Sequence, residues 1–201
     1  MIIRKFILFM SVLACFATSA LAQFVLEPRG FVSEADTTKT YVVFHFDNID
    51  KITLYKKALA FFNSVYRSPQ DVLSTVENES INIHATEKDA IGIPYKNKID
   101  QKLLGKYDVY YNLKYSFDIQ FREGRIRITS PSFSCYRIMN GGSEAYLLLV
   151  GKKRFLSDNH IIFNTAHELK GSLEKEQLES FFYSLFSQLD SYIKGEGEDD
   201  W

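Results

Sequence analysis

The sequence predicts an α+β domain in which an antiparallel sheet carries helices packed on one face. Three patterns predict it: apolar and polar residues alternate from Tyr107 to Arg122, and apolar stripes with helical spacing follow Asp50 and Ser172. The alternation is typical of a strand with one buried and one wet face. Strands dominate the middle of the chain and the longest helical pattern comes last, an order that favours α+β over alternating βα units.

The composition is that of a globular protein. Apolar residues make up 46% of the chain, and 24 Lys and Arg stand against 25 Asp and Glu, for a formal net charge of −1. A nucleic-acid-binding protein normally has a strong basic excess, so this near-neutral balance argues against nucleic acid as a partner.

The first 22 residues have the features of a secretory signal peptide. Arg4 and Lys5 precede a short apolar run, and small residues stand at Ala20 and Ala22. We expect cleavage between Ala22 and Gln23, which leaves 179 residues with a net charge of −3. The mature chain is then expected in the periplasm or cell envelope, with no transmembrane span.

The two cysteines have different expected fates. Val12 to Cys15 offers an alternative to the signal peptide, a lipoprotein anchored through Cys15. Because the Ala20–Ala22 site lies downstream, we interpret Cys15 as part of the apolar signal core. Cys135 then remains alone, so no intrachain disulfide is predicted, and we expect Cys135 to be a small buried side chain rather than a reactive thiol.

The first half of the chain predicts an N-terminal arm over 23–39, with room for one short strand, followed by a single domain over 40–194. That domain opens with a strand at 41–46, which buries Val42, Phe44 and Phe46. A helix with Asp50 as its N-cap comes next. A strand at 80–86 follows, which 91–95 extends after an irregular stretch.

The second half predicts one long curved strand over 107–122, or two strands joined by a bulge. Glu123-Gly124 indicates a hairpin, with a return strand through Ile126 and Ile128 and a further strand at 133–138. Residues 144–150 fit a strand or a helix equally well, and the structure of 140–170 is left open. The last helix has Ser172 as its expected N-cap and ends near Gly195, and 195–201 form a solvated acidic tail. Its apolar face consists of Leu178, Phe181, Phe182, Leu185, Phe186, Leu189, Tyr192 and Ile193.

A family resemblance covers residues 40–127. It rests on Tyr41 to Phe44, on Leu54 to Phe62 and on the strand-turn-strand around Glu123-Gly124-Arg125. In these features the chain resembles a family of exported bacterial proteins of unknown function, described as having a TBP-like fold. The resemblance implies a curved antiparallel sheet under helices and carries over no catalytic residue. A fold name does not imply DNA binding either, because function lies in sites rather than folds.

The patterns that suggest chemistry are incomplete. His167-Glu168 would begin a zinc-binding helix motif, but Gly171 stands where the second histidine is required. A stretch at 141–145 approaches a nucleophile elbow without its final glycine. His45 and His84 lie opposite the apolar parity of their strands, and would form a metal site only if the strands were neighbours. We therefore predict no catalytic residue, no metal and no cofactor.

Two tyrosines are predicted to lie on the same solvent-facing side of the sheet as these histidines. Tyr41, His45, His84 and Tyr110 all have solvent-facing parity, and together they are the candidate surface for a ligand or partner. The function predicted from the sequence is a non-enzymatic binding or structural module of the cell envelope. The alternative is a carrier of a small apolar ligand, with a cavity between the sheet and the C-terminal helix.

Overall fold

The computed structural model describes residues 23–94, 107–139, 141–152 and 159–195. The predicted signal peptide with Cys15, and residues 196–201 of the acidic tail, lie outside the described residues. The helices are α1 (Lys51–Val65), α2 (Pro69–Val72) and α3 (Ser172–Lys194). The strands are β1 (Phe24–Glu27), β2 (Gly30–Ser33), β3 (Tyr41–His45), β4 (Leu73–Val76), β5 (Ser80–Pro94), β6 (Asp108–Arg122), β7 (Arg125–Thr129), β8 (Ser132–Ile138), β9 (Glu144–Gly151) and β10 (His160–Asn164).

Strand β6 is at the centre of a sheet that has eight strands among the described residues. It pairs with β5 along one edge, and with both β7 and β8 along the other, where Pro131 separates these two strands. Strand β3 extends the sheet beyond β7, whereas β9 and β10 extend it beyond β8. Every pair in this sheet is antiparallel except β9 with β10, which is parallel. The predicted antiparallel sheet is therefore confirmed, with one parallel strand added at its edge.

The alternation of β6 places its odd-numbered side chains in the core. These residues, from Val109 to Phe121, are at most 6% exposed, whereas the even-numbered ones lie on the other face. The strand is a single element, and the irregularity that the sequence left open lies instead in β5, where the pairing with β6 shifts between Glu87 and Ile91. A β-bulge of this kind bends its strand and raises the local twist.

Both long helices pack on the core face of the sheet. Asp50 is the N-cap of α1, as predicted. Its carboxylate accepts hydrogen bonds from the Thr53 hydroxyl at 2.6 Å and from the Thr53 backbone N–H at 2.9 Å, and these two bonds lower the pKa of Asp50. Gly195 ends α3 in the left-handed conformation at φ 76°, again as predicted. The N-cap of α3 is Gly171 rather than Ser172, which begins the helix proper.

Residues 23–39 contain two strands where the sequence left room for one. Strands β1 and β2 form a separate hairpin, and Phe24, Leu26 and Phe31 belong to the main core. The Leu26 backbone N–H donates to Glu179 Oε1 of α3 at 2.7 Å. This segment therefore closes one side of the space between α3 and the sheet.

Two strands lie in the described part of 140–170, which the sequence left open. Residues 144–151 form β9, in which Ala145 and Leu147 are buried, and His160–Asn164 form β10 beside it. The isolated strand pair Phe163↔Leu169 then leads into α3. No helix among the described residues combines the length and the apolar character that crossing a membrane requires.

Candidate functional site

The large sheet presents its second face without a helical layer in the part of the chain that the structure describes. On this uncovered face lie the polar side chains of β6 and their neighbours on β3, β5, β7 and β8. The four residues singled out from the sequence, Tyr41, His45, His84 and Tyr110, all project there, and both histidines are exposed.

The four residues share a face but do not form a cluster. His45 lies opposite Arg125, which lies opposite Arg122, whereas His84 lies opposite Ser116 on the far side of β6. Three strand spacings and a six-residue offset put these histidines about 14 Å apart across the strands and about 20 Å apart along them. The strands are not neighbours, so the sequence condition for a His45–His84 metal site is not met.

Each predicted tyrosine has its own local setting. The Tyr41 ring stacks under the Arg127 guanidinium, whose Cζ lies 4.0 Å from the ring centroid. Tyr110 is 53% exposed and lies across from Gly92, where an added Cβ would come within 2.8 Å of the tyrosine ring. The Tyr110 ring therefore packs directly over the Gly92 backbone, where any larger residue would contact it.

A basic corner that the sequence did not reveal lies at one end of the uncovered face. It comprises Arg122, Arg125 and Arg127 with His45, and all four side chains are exposed. Strand pairing sets Arg122 directly opposite Arg125 and Arg125 opposite His45. Within the described ranges, no carboxylate forms an ion pair with any of the three arginines.

The basic corner could not be found from β6 alone. On that strand, Asp108 and Asp118 offset Lys114 and Arg122, so the strand is mixed in sign. The signal is the Arg122-Glu123-Gly124-Arg125 turn: in a two-residue hairpin loop, the flanking residues face each other. Glu123 itself points elsewhere, and its carboxylate accepts a hydrogen bond from the Lys51 backbone N–H at 3.2 Å.

The space between the middle of α3 and the sheet is filled. Phe182 packs edge-on against Phe31 at 5.0 Å and Tyr115 at 5.5 Å, and Phe186 packs against Phe117 at 5.1 Å, all between ring centroids. The cavity predicted between the sheet and the C-terminal helix therefore does not lie beneath Phe182 and Phe186. Aromatic side chains occupy the volume that a ligand would need.

Two buried tyrosines close the same interface near α1. The Tyr66 and Tyr115 hydroxyls are 3.0 Å apart, and burial is the main cause that raises the pKa of both phenols, that of Tyr115 to about 12. Both therefore stay neutral, and one hydroxyl donates to the other. A groove of about 460 Å³ opens beside them between α3 and the β5 bulge.

A second opening lies at the N-terminal end of α3. This cavity of about 580 Å³ is bordered by Lys152, His160, Lys170 and the buried carboxylate of Glu174. Gly171 shapes the adjoining backbone, because a Cβ there would lie 2.9 Å from the Ile161 carbonyl oxygen and 3.0 Å from Glu174 Oε2. The lining is more apolar than polar, and the cavity lies between α3 and the edge of the sheet formed by β9 and β10.

The other sequence motifs do not form a metal-binding or catalytic site among the described residues. His167 is exposed in a turn with φ 63°, so the incomplete zinc motif does not lie on a helix. Among the described residues, no group of three or more His, Cys, Asp or Glu side chains could hold a metal ion. Cys135 is buried, as expected, and burial raises the pKa of its thiol to about 12.

Comparisons with known proteins return two similar solved structures. A TBP-like protein from Parabacteroides distasonis ATCC 8503 is similar over 77% of this chain and 90% of its own, at 13% identity and a TM-score of 0.48. A DUF4468 family protein from Bacteroides ovatus ATCC 8483 is similar over 80% of this chain and 86% of its own, at 10% identity and a TM-score of 0.46. The first carries the TBP-like description that the resemblance over 40–127 predicted, and neither description includes a ligand or partner. No family model and no curated protein matches the chain.

Proposed function

We propose that the protein is an exported, non-enzymatic binding domain of the periplasm or cell envelope, and that it engages an envelope partner through the uncovered face of its large sheet. One observation carries the proposal: α1 and α3 cover one face of the sheet, whereas the other presents exposed aromatic and cationic side chains on rigid strands. The sheet fixes the backbone from which these side chains project, so no backbone ordering is needed on binding. The proposal assigns no catalytic residue, metal or cofactor.

The binding face is tested by a double variant on the uncovered face and a control variant on α3. We expect crosslinking in intact cells, followed by capture and mass spectrometry, to yield a partner with the wild-type protein. The variant H84A/Y110A should lose that partner, because it removes exposed side chains from the uncovered face. Tyr183 of α3 is comparably exposed, at 43% against 53% for Tyr110, so Tyr183→Ala is the control and should retain the partner. Equal capture by all three proteins, or no specific capture by the wild type, would overturn the proposal.

Export is tested separately, by the intact mass of the protein recovered from the cell envelope. Cleavage of the signal peptide predicts a chain that begins at Gln23, without lipid. A mass that begins at Cys15 and includes acyl chains would replace this proposal with the lipoprotein alternative. A chain found uncleaved in the cytoplasm would exclude both.

A small-ligand carrier is the second candidate, and the cavity beside Glu174 and His160 is the observation that favours it. Its mainly apolar lining with a few polar groups, between α3 and the sheet edge, fits the small apolar ligand expected from the sequence. Native mass spectrometry of the purified protein should then show a bound small molecule. Ile161→Trp, which adds bulk to the cavity wall, should remove that molecule, while Tyr183→Ala leaves it bound. A wild-type protein without any adduct would exclude the carrier.

A further inference from the structure

The basic corner places three arginines in one compact group on the uncovered face. Arg122 and Arg125 are directly opposed across the β6–β7 hairpin, and His45 lies opposite Arg125 on its other side. These side chains form a row across neighbouring strands, which is about 10 Å wide at the backbone because strands lie about 4.8 Å apart. Arg127 follows two residues further along β7, roughly 7 Å behind Arg125.

Described carboxylates do not offset the charge of this group. Like charges on directly opposed residues are destabilising, and none of the three arginines forms an ion pair within the described ranges. Two acidic residues of β6 and its turn have other partners. Glu123 accepts the hydrogen bond from the Lys51 backbone N–H, and the Asp118 carboxylate accepts one from the Asn82 side-chain amide. The sheet therefore holds an unfavourable group of like charges exposed to solvent.

The chemistry of these side chains is suited to carboxylates. A guanidinium group is a planar fork of N–H donors, and it binds a carboxylate through two parallel hydrogen bonds. The Arg127 guanidinium is stacked on the Tyr41 ring, with Cζ 4.0 Å from the ring centroid. Stacking uses the face of the guanidinium and leaves its N–H donors at the edge available. Because this contact already orients the group, less side-chain freedom is lost when an anion binds.

We propose that the basic corner binds an acidic segment of a protein partner, whose carboxylates pair with Arg122, Arg125 and Arg127. This inference rests on the proposed function, because it assigns the chemistry of the envelope partner at one end of the uncovered face. An extended segment repeats its side chains on one side every two residues, about 6.8 Å apart. Arg125 and Arg127 have the same repeat along β7, so acidic side chains at alternate positions of the partner match them.

An anionic lipid surface fits this corner less well than an acidic segment does. Sequence clusters that bind anionic membranes have about 4–8 Lys or Arg residues, more than the three arginines of the corner. Asp47, which follows β3, and Glu123 in the hairpin turn are exposed beside the corner. A broad lipid surface would bring its phosphates against both carboxylates, whereas a narrow peptide segment contacts the arginines alone.

The proposal is tested with a dye-labelled peptide of alternating glutamate and serine, whose binding to the purified protein is followed by fluorescence anisotropy. We expect this peptide to bind at low salt, and a glutamine–serine peptide with the same dye not to bind. Raising the salt from about 0.01 M to about 1 M shortens the Debye length from about 30 Å to about 3 Å, and should release the glutamate peptide.

Charge-neutral variants identify the binding site. The variant R122Q/R125Q/R127Q should bind the glutamate peptide roughly tenfold more weakly or worse, because three exposed charge pairs are lost. The control R67Q/K88Q/K114Q removes the same number of exposed cations elsewhere and should bind as the wild type does. Circular dichroism confirms that each variant is folded before binding is compared. In cells, the arginine variant should also lose the crosslinked envelope partner.

Four results would contradict the acidic-segment proposal. They are a glutamate peptide that does not bind the wild type, equal binding by the arginine variant and its control, an arginine variant that retains the cellular partner, and arginine-dependent binding only to vesicles of anionic phospholipid. The last result would assign the basic corner to a membrane surface. The proposed function is judged separately: a partner that the wild type captures and H84A/Y110A loses supports it even without peptide binding. Peptide binding without any captured partner would remove the proposed function and leave the affinity of the corner for carboxylates.

Discussion

At the scale of single residues, Gly171 is the position where the backbone leaves no room for a side chain. It has a negative φ of −117°, so alanine is allowed conformationally, and the obstacle is the Ile161 carbonyl oxygen, which would lie 2.9 Å from the added methyl carbon. We predict that Gly171→Ala lowers the free energy of unfolding by about 1–3 kcal/mol, the usual cost of overpacking. Urea unfolding followed by circular dichroism measures it.

Gly92→Ala is the matched comparison for that variant. Its Cβ would lie 2.8 Å from the Tyr110 ring, but this ring is half-exposed and can turn away, whereas a backbone carbonyl cannot. The loss of stability should therefore be clearly smaller than for Gly171→Ala. An equal loss in the two variants would contradict the distinction between a backbone and a side-chain obstacle.

The thiol of Cys135 gives a prediction on reactivity. Burial disfavours the thiolate and raises the pKa from 9.0 to about 12, so at pH 8 roughly a thousandfold less thiolate is present than for an unshifted thiol. A disulfide reagent such as DTNB should therefore label the folded protein very slowly, and the urea-unfolded protein at once. Rapid labelling of the folded protein would show that Cys135 is accessible, contrary to its burial.

At the scale of elements, α3 is stabilised by the aromatic side chains that it inserts against the sheet. Phe182 is 1% exposed and lies in ring contact with residues of β2 and β6. Phe182→Ala should cost about 3–5 kcal/mol in the free energy of unfolding, because it removes this contact area and leaves a cavity.

The neighbouring Tyr183 provides the control for that prediction. It is 43% exposed, so Tyr183→Ala should change the free energy of unfolding by no more than about 0.5 kcal/mol. Chemical denaturation of both variants gives the comparison. Similar losses of stability would mean that α3 does not present the Phe182 side to the sheet.

The elements also show which parts of the fold the sequence predicts. Long periodic segments are recovered: β6, the N-cap of α1 at Asp50 and the apolar face of α3 all depend on local patterns. Strand β10 was not predicted, because a short edge strand with two adjacent buried residues, Ile162 and Phe163, lacks simple alternation. The β1–β2 hairpin was underestimated for a similar reason, since its stability comes from packing on α3.

The candidate site was less predictable than the fold. The alternation of side chains along each strand correctly predicted that Tyr41, His45, His84 and Tyr110 lie on one face of the sheet. The distances between them depend on strand order, because β7 lies between β3 and β6. The basic corner arises from that same pairing. A site assembled by register between distant strands has no signature in any one segment of the sequence.

At the scale of the whole molecule, β6 holds the sheet together and β4 is its most exposed edge. The odd-numbered side chains of β6 are buried, and β6 is paired on both sides. Three of the four residues of β4 are exposed, and within the described ranges β5 is its one partner strand. Edge amides open by local fluctuation, while central amides exchange only when most of the domain unfolds.

We therefore predict a gradient of hydrogen exchange across the sheet. Amides of β6 should exchange with a free energy that approaches that of global unfolding, about 5–15 kcal/mol for a domain, and those of β4 should exchange fastest among the strands of this sheet. Strand β8, which is also paired on both sides, is the internal control and should resemble β6. If β4 were protected as strongly as β6, something would have to cover that edge in solution, and a second copy pairing along β4 would be the first explanation to test by dilution.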